Sequence, residues 1–346
     1  MTQARSGTIY MSSVTTVDMA YYTPDHKIRG LSFRPCISVS GKLVDGEEVV
    51  ADFSSIKKDM KHAIDDHLRG YDHKLVYDPE IARLEPSYAP GVATLLPITR
   101  APHDHLLPGY CTSLVTAGMN GFRTLEYAKT VLGVIRSENL HTLHILEIMA
   151  AELEGYLSVK FPSLSFQVTA NSVVEDLSDA QLTPAGYAIT RPCYFSYTHG
   201  LAQSTSWGCQ FIAHGHTSFL QLLGNRGVDT LGFLDMSRHP NQMPLEEILL
   251  EIRRSLDDKY IVNSKYVHPT QHQHLAYVSY VSQDRGRMEY QFDTRRVGML
   301  VIDDEPTIEN IANWIIEQWG PYLRKQGATG IYVSEGLTKG ALASCL

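Results

Sequence analysis

Residues 193–216 read CYFSYTHGLAQSTSWGCQFIAHGH. Tyr194–Thr198 is predicted to be a strand, and His199 follows it directly. In a strand, side chains at i and i+2 share one face, so His214 and His216 can share one metal ion. Gly215 between them lets a backbone or a substrate approach closely. A short polar stretch brings His199 alongside the pair. Catalytic zinc takes three protein ligands and leaves a fourth position open for chemistry. The predicted ligands are therefore His199, His214 and His216, and the predicted cofactor is Zn2+. A bare His-x-His also arises from core packing, so the upstream histidine and a nearby cysteine carry weight. That cysteine is Cys209, five residues before His214. Beside a divalent cation its thiol is more acidic and can serve as base or nucleophile; the alternative is a buried, inert thiol.

Outward from this stretch, one order of elements occurs twice. In the second half, Phe219–Leu223 is a strand ending at Gly224, and Thr230–Leu234 is another. Pro244–Leu256 is a helix with Leu245, Ile248, Leu249, Ile252 and Leu256 on one face. Pro306–Trp319 is a second helix, with Ile308, Ile311, Ile315 and Trp319 inward, and Gly330–Ser334 is the last strand. In the first half, Ile37–Val44 and Glu48–Phe53 read as strands. Ser54–Leu68 reads as a helix with Ile56, Met60 and Ile64 at fourfold spacing. Thr142–Leu157 is a second helix, closed by Pro162, and Leu164–Thr169 is a strand.

Each half thus reads strand, strand, helix, helix, strand. The fold class is α+β: two tandem units, each an antiparallel sheet with two helices on one face. The Pro and Gly of Asp179–Gly186 mark the boundary, giving domains 1–181 and 182–346. Two stretches fit the repeat badly. Leu84–Gly121 carries His103 and His105 in a Pro-rich loop, and Gly121–Ser137 reads as an extra helix. Ser264–Arg296 reads as an inserted hairpin carrying His268, His272 and His274.

Composition narrows the function. The chain has 346 residues, 43% hydrophobic and 20% charged, with a net charge of -8. That balance argues against broad nucleic-acid binding and against a polybasic membrane anchor. No apolar run reaches the roughly 18 residues of a membrane span, and the N-terminus lacks the apolar core of a secretory signal. Five cysteines at irregular spacing suit reduced thiols, so a cytoplasmic protein is expected.

These motifs resemble the 6-pyruvoyltetrahydropterin synthase and 6-carboxytetrahydropterin synthase family, which has the tunnelling fold. In the second half the resemblance rests on Phe195–Thr198 before His199 and on Cys209-x4-His214-Gly215-His216. It extends to Pro306-Thr307-x-Glu309-Asn310-Ile311-Ala312 and Val333-Ser334-Glu335. In the first half it rests on Ala51-Asp52-Phe53, the Ile56-Lys57 helix and Asp72-His73-Lys74-Leu75. The resemblance implies zinc on the three histidines, holding the side-chain hydroxyls of a dihydroneopterin triphosphate. It implies Cys209 as the proton-transfer base, aided by an Asp-His pair. Glu335 would hold the guanidine-like edge of the pterin, with Thr307 also contacting substrate. It further implies a homo-oligomer, for which we expect three chains in a pseudo-sixfold assembly.

Neither half carries the full set. The first-half segment matching the zinc pair reads roughly Leu31-Ser32-Phe33, so no zinc is expected there. Its last strand ends Val168-Thr169-Ala170-Asn171, without the family's glutamate. In the second half the Asp-His pair is replaced by Asp257-Asp258. The missing parts are complementary. One composite site per chain would join Cys209, the three histidines and Glu335 to Asp72 and His73. The competing readings are a pterin- or purine-like ligand binder that retains zinc, and another zinc-dependent hydrolase on the same scaffold. His272 and His274 are a second, weaker candidate for the relay.

Overall fold

The computed structural model describes the chain except residues 1–5, 13, 24–26, 43–49, 51–52, 69–70, 81, 87–91, 98–112, 118–131, 135–141, 173–186, 206–208, 211–213, 225–244, 272, 283–285, 296, 338 and 346. In the first half the elements are β1 (Ser6–Met11), β2 (Val17–Tyr22), β3 (Ile28–Lys42), α1 (Phe53–Leu68), β4 (Leu75–Tyr77), β5 (Ala82–Pro86), β6 (Val92–Pro97), β7 (Ser113–Ala117), β8 (Leu132–Val134), α2 (Thr142–Lys160) and β9 (Ser165–Asn171). The second half contains β10 (Tyr187–Ala188), β11 (Cys193–His199), β12 (His214–Gly224), α3 (Leu245–Leu256), β13 (Lys259–Asn263), β14 (Val267–His268), β15 (Leu275–Ser282), β16 (Gly286–Asp293), β17 (Gly298–Ile302), α4 (Ile308–Lys325), β18 (Ala328–Glu335) and β19 (Lys339–Ser344).

The chain is mixed α+β, and its halves follow one path. The first sheet runs β8-β4-β2-β3-β9, and the second runs β17-β13-β11-β12-β18. In both, the two long central strands form an antiparallel pair, while the short strands beyond pair parallel. The expected wholly antiparallel sheet is therefore corrected to a mixed one. In the first half the β2–β3 hairpin reverses the chain, and the crossover containing α1 returns it so that β4 runs alongside β2.

Strand β2 shows how sequence becomes layers. Met19 and Tyr21 point to the helices and pack with Met60, Ile64, Leu146, Met149 and Leu153. Ala20 and Tyr22, on the other face, pack against a third sheet. A strand covered on both faces has no polar side to show, which is why VDMAYY is nearly all apolar. The second half repeats the helix layer, with Ile248, Ile252, Ile311 and Ile315 against Phe195, Tyr197 and Leu220. Helix α4 continues past the predicted end at Trp319, through Pro321, and buries Leu323 in that core.

The third sheet, β14-β15-β16-β7-β6-β5, is built from the insertions of both halves, joined where β16 pairs with β7. The predicted hairpin within Ser264–Arg296 is its β15–β16 pair. Val278, Tyr280, Tyr290 and Phe292 pack against residues of both central sheets, including Tyr22 and Tyr260. Where an extra helix was expected over Gly121–Ser137, Leu132–Val134 is instead a parallel strand beside β4. Thr230–Leu234, the boundary stretch Asp179–Gly186, His103 and His105 lie outside the described residues, as does most of Glu48–Phe53; Phe53 opens α1.

The halves meet about equivalent residues. A Cβ on Gly215 would stand 2.5 Å from Gly30 Cα, so the two strands cross at bare backbone. Beyond them, Ser32 N donates to Thr217 Oγ1 and Thr217 N donates to Ser32 Oγ, each at 3.2 Å. Gly30 lies opposite Ala20, and Gly215 opposite Thr198, at the same step of each ladder. The junction is thus nearly twofold symmetric. Among the described residues, no helix is long and apolar enough to cross a membrane.

Candidate metal centre

The β11–β12 ladder sets His199 directly across from His214, with His216 two residues on, across from Tyr197. All three imidazoles are buried. Nε2 of His199 and Nε2 of His216 lie 3.2 Å apart, and one ring nitrogen from each of the three falls within 4.8 Å of the others. Two ligands of a tetrahedral zinc, each bonded at 2.0–2.1 Å, stand roughly 3.3 Å apart. The ring nitrogens facing outward meet partners: His199 Nδ1 lies 2.6 Å from Pro306 O, and His216 Nδ1 faces Asp18 Oδ1 at 3.2 Å, an ion-pair distance without hydrogen-bond alignment. Neither ring nitrogen of His214 has a hydrogen-bond partner, although both are buried. Buried imidazoles with inward, unsatisfied nitrogens suit a metal ion. Burial, then the neighbouring His216, pushes His199 down to about 3. Burial and the adjacent His199 and His73 hold His214 well below the ordinary imidazole range. Both rings are therefore neutral and able to donate electron pairs.

The first half supplies the rest of the wall. His73 sits in a left-handed turn before β4 (φ 54°), its ring centroid 5.2 Å from that of His214. Asp72 Oδ2 holds His73 Nδ1 at 3.0 Å. His73, Cys209 and His214 each offer a ligand atom within 4.8 Å of the other two. Burial opposes a charge on His73, but Asp72 and Cys209 outweigh it and raise the ring to about 10. The loop bearing Cys209 is braced by Leu201 N donating to Cys209 O at 2.8 Å. Tyr280 of the third sheet donates to Gln210 O at 3.0 Å.

Glu335 closes the other side. Its Oε1 is 3.9 Å from His216 Nε2, and its Oε2 is 2.9 Å from Lys339 Nζ. Burial would raise its carboxyl, yet His216, His199 and Lys339 together lower it, so it is ionised. Thr307 Oγ1 accepts from Asn310 N at 3.4 Å, capping α4 one residue after the carbonyl that holds His199. His274 is exposed on the turn before β15, and His272 lies outside the described residues.

Sequence reasoning missed Asp18 and Lys339. The signal for Asp18 was a lone carboxylate in an otherwise apolar strand, a residue type seldom buried without a partner.

The first half has a counterpart of this centre, in a register that corrects the expected Leu31-Ser32-Phe33. Because Gly30 matches Gly215, the match is Arg29-Gly30-Leu31, with Tyr21 at the place of His199. Opposite-strand pairing likewise puts Ser172, just beyond β9, at the place of Glu335. Asp258 holds the position of His73 with the same left-handed backbone (φ 55°), and it pairs with Arg29 at 3.0 Å. Tyr21, Arg29, Ser172, Ser196, Thr217 and Asp258 help line a cavity of about 260 Å3 there.

The family model for 6-pyruvoyl tetrahydropterin synthase matches residues 188–344. Among solved structures, a Plasmodium vivax 6-pyruvoyl tetrahydropterin synthase is similar at 20% identity, over 43% of this chain and 90% of that one, with a TM-score of 0.30. The Plasmodium falciparum enzyme is similar at 21% identity over the same shares, with a TM-score of 0.31. An uncharacterized protein from Wolinella succinogenes is similar at 16% identity, over 44% of this chain and 95% of that one, with a TM-score of 0.27. No curated protein matches the chain. The matched residues contain the three histidines, Cys209 and Glu335, so the similarity to the 6-pyruvoyl tetrahydropterin synthase family lies in the second half of the chain.

Proposed function

We propose that the protein is a zinc-dependent pterin synthase, a lyase that converts 7,8-dihydroneopterin triphosphate to a 6-carboxy- or 6-pyruvoyl-tetrahydropterin. The observation that carries this reading is the meeting of His73, from one half, with Cys209 and His214, from the other. This proximity supports reading Asp72 and His73 as the relay that the second half lacks in its own sequence.

Zinc on His199, His214 and His216 would polarise the hydroxyl oxygens of the substrate side chain and acidify the carbon beside them. Cys209 Sγ would take up the proton released there. His73, charged at neutral pH and 21% exposed, would stabilise the thiolate and pass the proton onward. Asp72 fixes the ring through Nδ1 and so determines which nitrogen faces the thiol. Glu335, ionised and half-enclosed, would accept two parallel hydrogen bonds from the N–C–N edge of the pterin. Substrate arrival would then exchange its contact with Lys339 for the ring edge. Thr307 would contact substrate from the start of α4.

The same reading extends to assembly. The outer edges of β9 and β19 have no further strand paired among the described residues, and such edges call for covering. A homo-oligomer is the proposed solution, and light scattering tests it, with a monomer counting against it. For the reaction itself, the metal-loaded protein is incubated with dihydroneopterin triphosphate and products are followed by mass. Bound but unchanged substrate would favour the ligand-binding reading instead.

A further inference from the structure

We propose that Asp18, a first-half residue, is a positioning residue for the second half's metal centre and ties it to the Asp72–His73 pair. The inference rests on the metal-centre reading above.

Asp18 is buried in an apolar strand, where an unpaired carboxylate is costly. Its Oδ1 faces His216 Nδ1 at 3.2 Å and accepts from Ser32 Oγ at 2.5 Å. A histidine that binds metal through one nitrogen is oriented by what holds the other. Asp18 faces the outer nitrogen at ion-pair distance, on the opposite side of the ring from Nε2, which points toward His199 Nε2. Gly336 makes room for it: a Cβ there would stand 2.7 Å from Asp18 Oδ1.

The backbone of Asp18 reaches the relay pair. Asp18 N donates to Asp72 Oδ1 at 3.1 Å, and His73 N donates to Asp18 O at 2.6 Å. One residue thus sets a metal ligand with its side chain and the relay pair with its main chain.

The sister half supplies the control. Ser196 occupies the equivalent place and makes the same two backbone contacts, with Asp257 Oδ1 at 2.9 Å and Asp258 N at 2.7 Å. Its hydroxyl donates to Gly30 O, on the side where Leu31 stands in place of His216. The backbone frame is therefore common to both halves. The carboxylate occurs only where a histidine is there to receive it.

The test is Zn2+ affinity of the full chain, stripped of metal and titrated, with Co2+ absorption as a second readout. Asp18→Ser, which installs the sister residue's side chain, is expected to weaken Zn2+ binding by about 10–100-fold and to alter the Co2+ spectrum. Asp18→Asn keeps an oxygen facing Nδ1 and is expected to retain most of the affinity. Melting of the metal-free variants reports folding separately. Should Asp18→Ser fail to fold, Ser32→Ala carries the test, with a smaller loss of affinity expected. Wild-type affinity and an unchanged Co2+ spectrum in whichever variant folds would overturn the role of Asp18, even if its melting temperature fell. A wild-type chain that takes up no Zn2+ would instead overturn the metal centre, and this inference with it.

Discussion

His73 and His214, from opposite halves of the chain, stand with ring centroids 5.2 Å apart. This contact exists because the halves cross at Gly30 and Gly215, which brings the turn before β4 over the end of β11 and the start of β12. The juxtaposition of His73 and His214 therefore depends on the crossing as much as on the rings themselves.

Gly215→Ala is expected to be destabilising. Its new methyl would meet Gly30 Cα, a backbone atom that cannot rotate away. Overpacking of this kind costs about 1–3 kcal/mol. A lowered melting temperature, together with a loss of zinc, checks it; an unaffected melt would contradict the close crossing.

Metal content should be about one zinc per chain and should vanish in a His214→Ala/His216→Ala variant. Elemental analysis decides this. Two zinc ions per chain would contradict the reading of Tyr21, Arg29 and Leu31 as a half-site without ligands.

Acid should destabilise the metal-free protein early. An unfolded chain takes up protons on His199 and His214 as pH falls below their ordinary value of 6.5, while the folded rings resist, His199 down to about 3. Their contribution is present above 6.5 and is lost progressively as pH falls toward 3. His73 works in the opposite direction: its contribution is complete below 6.5 and is lost as pH rises through about 10. Melting temperatures should thus fall on both sides of neutrality. A flat profile between pH 7 and 4.5 would contradict the buried, neutral imidazoles.

Glu335→Gln should leave zinc content unchanged and weaken handling of the substrate. Charge-assisted hydrogen bonds contribute about 1.5–3 kcal/mol, which predicts a loss in kcat/KM of roughly 10–150-fold. Steady-state kinetics beside metal analysis would show it. A parallel loss of zinc would make Glu335 part of the metal centre rather than a ring anchor.

Much of this was legible in the sequence, for physical reasons. His214 and His216 are read from a strand's period of two, and the helices from their apolar faces. The register of the sister half was not. Leu31-Ser32-Phe33 offers the right apolar pattern, but the pairing of Gly30 with Ala20 shifts the match to Arg29-Gly30-Leu31. Strand β8 hid in a stretch read as helix because its partner β4 lies far back in the chain, beyond any local period. The partner of Asp18 was hidden for the same reason. Alone, Asp18 is one polar residue in a strand, and only the crossing of the halves gives it His216.

The most direct test of the composite site is product formation from 7,8-dihydroneopterin triphosphate by metal-loaded wild-type and His73→Ala proteins, measured side by side by mass with zinc content in parallel. Removing a positioned proton-transfer group typically costs 10²–10⁴-fold, so the account predicts turnover by the wild type and a loss of about that size in the variant, with zinc retained. Equal turnover by the two proteins would contradict it.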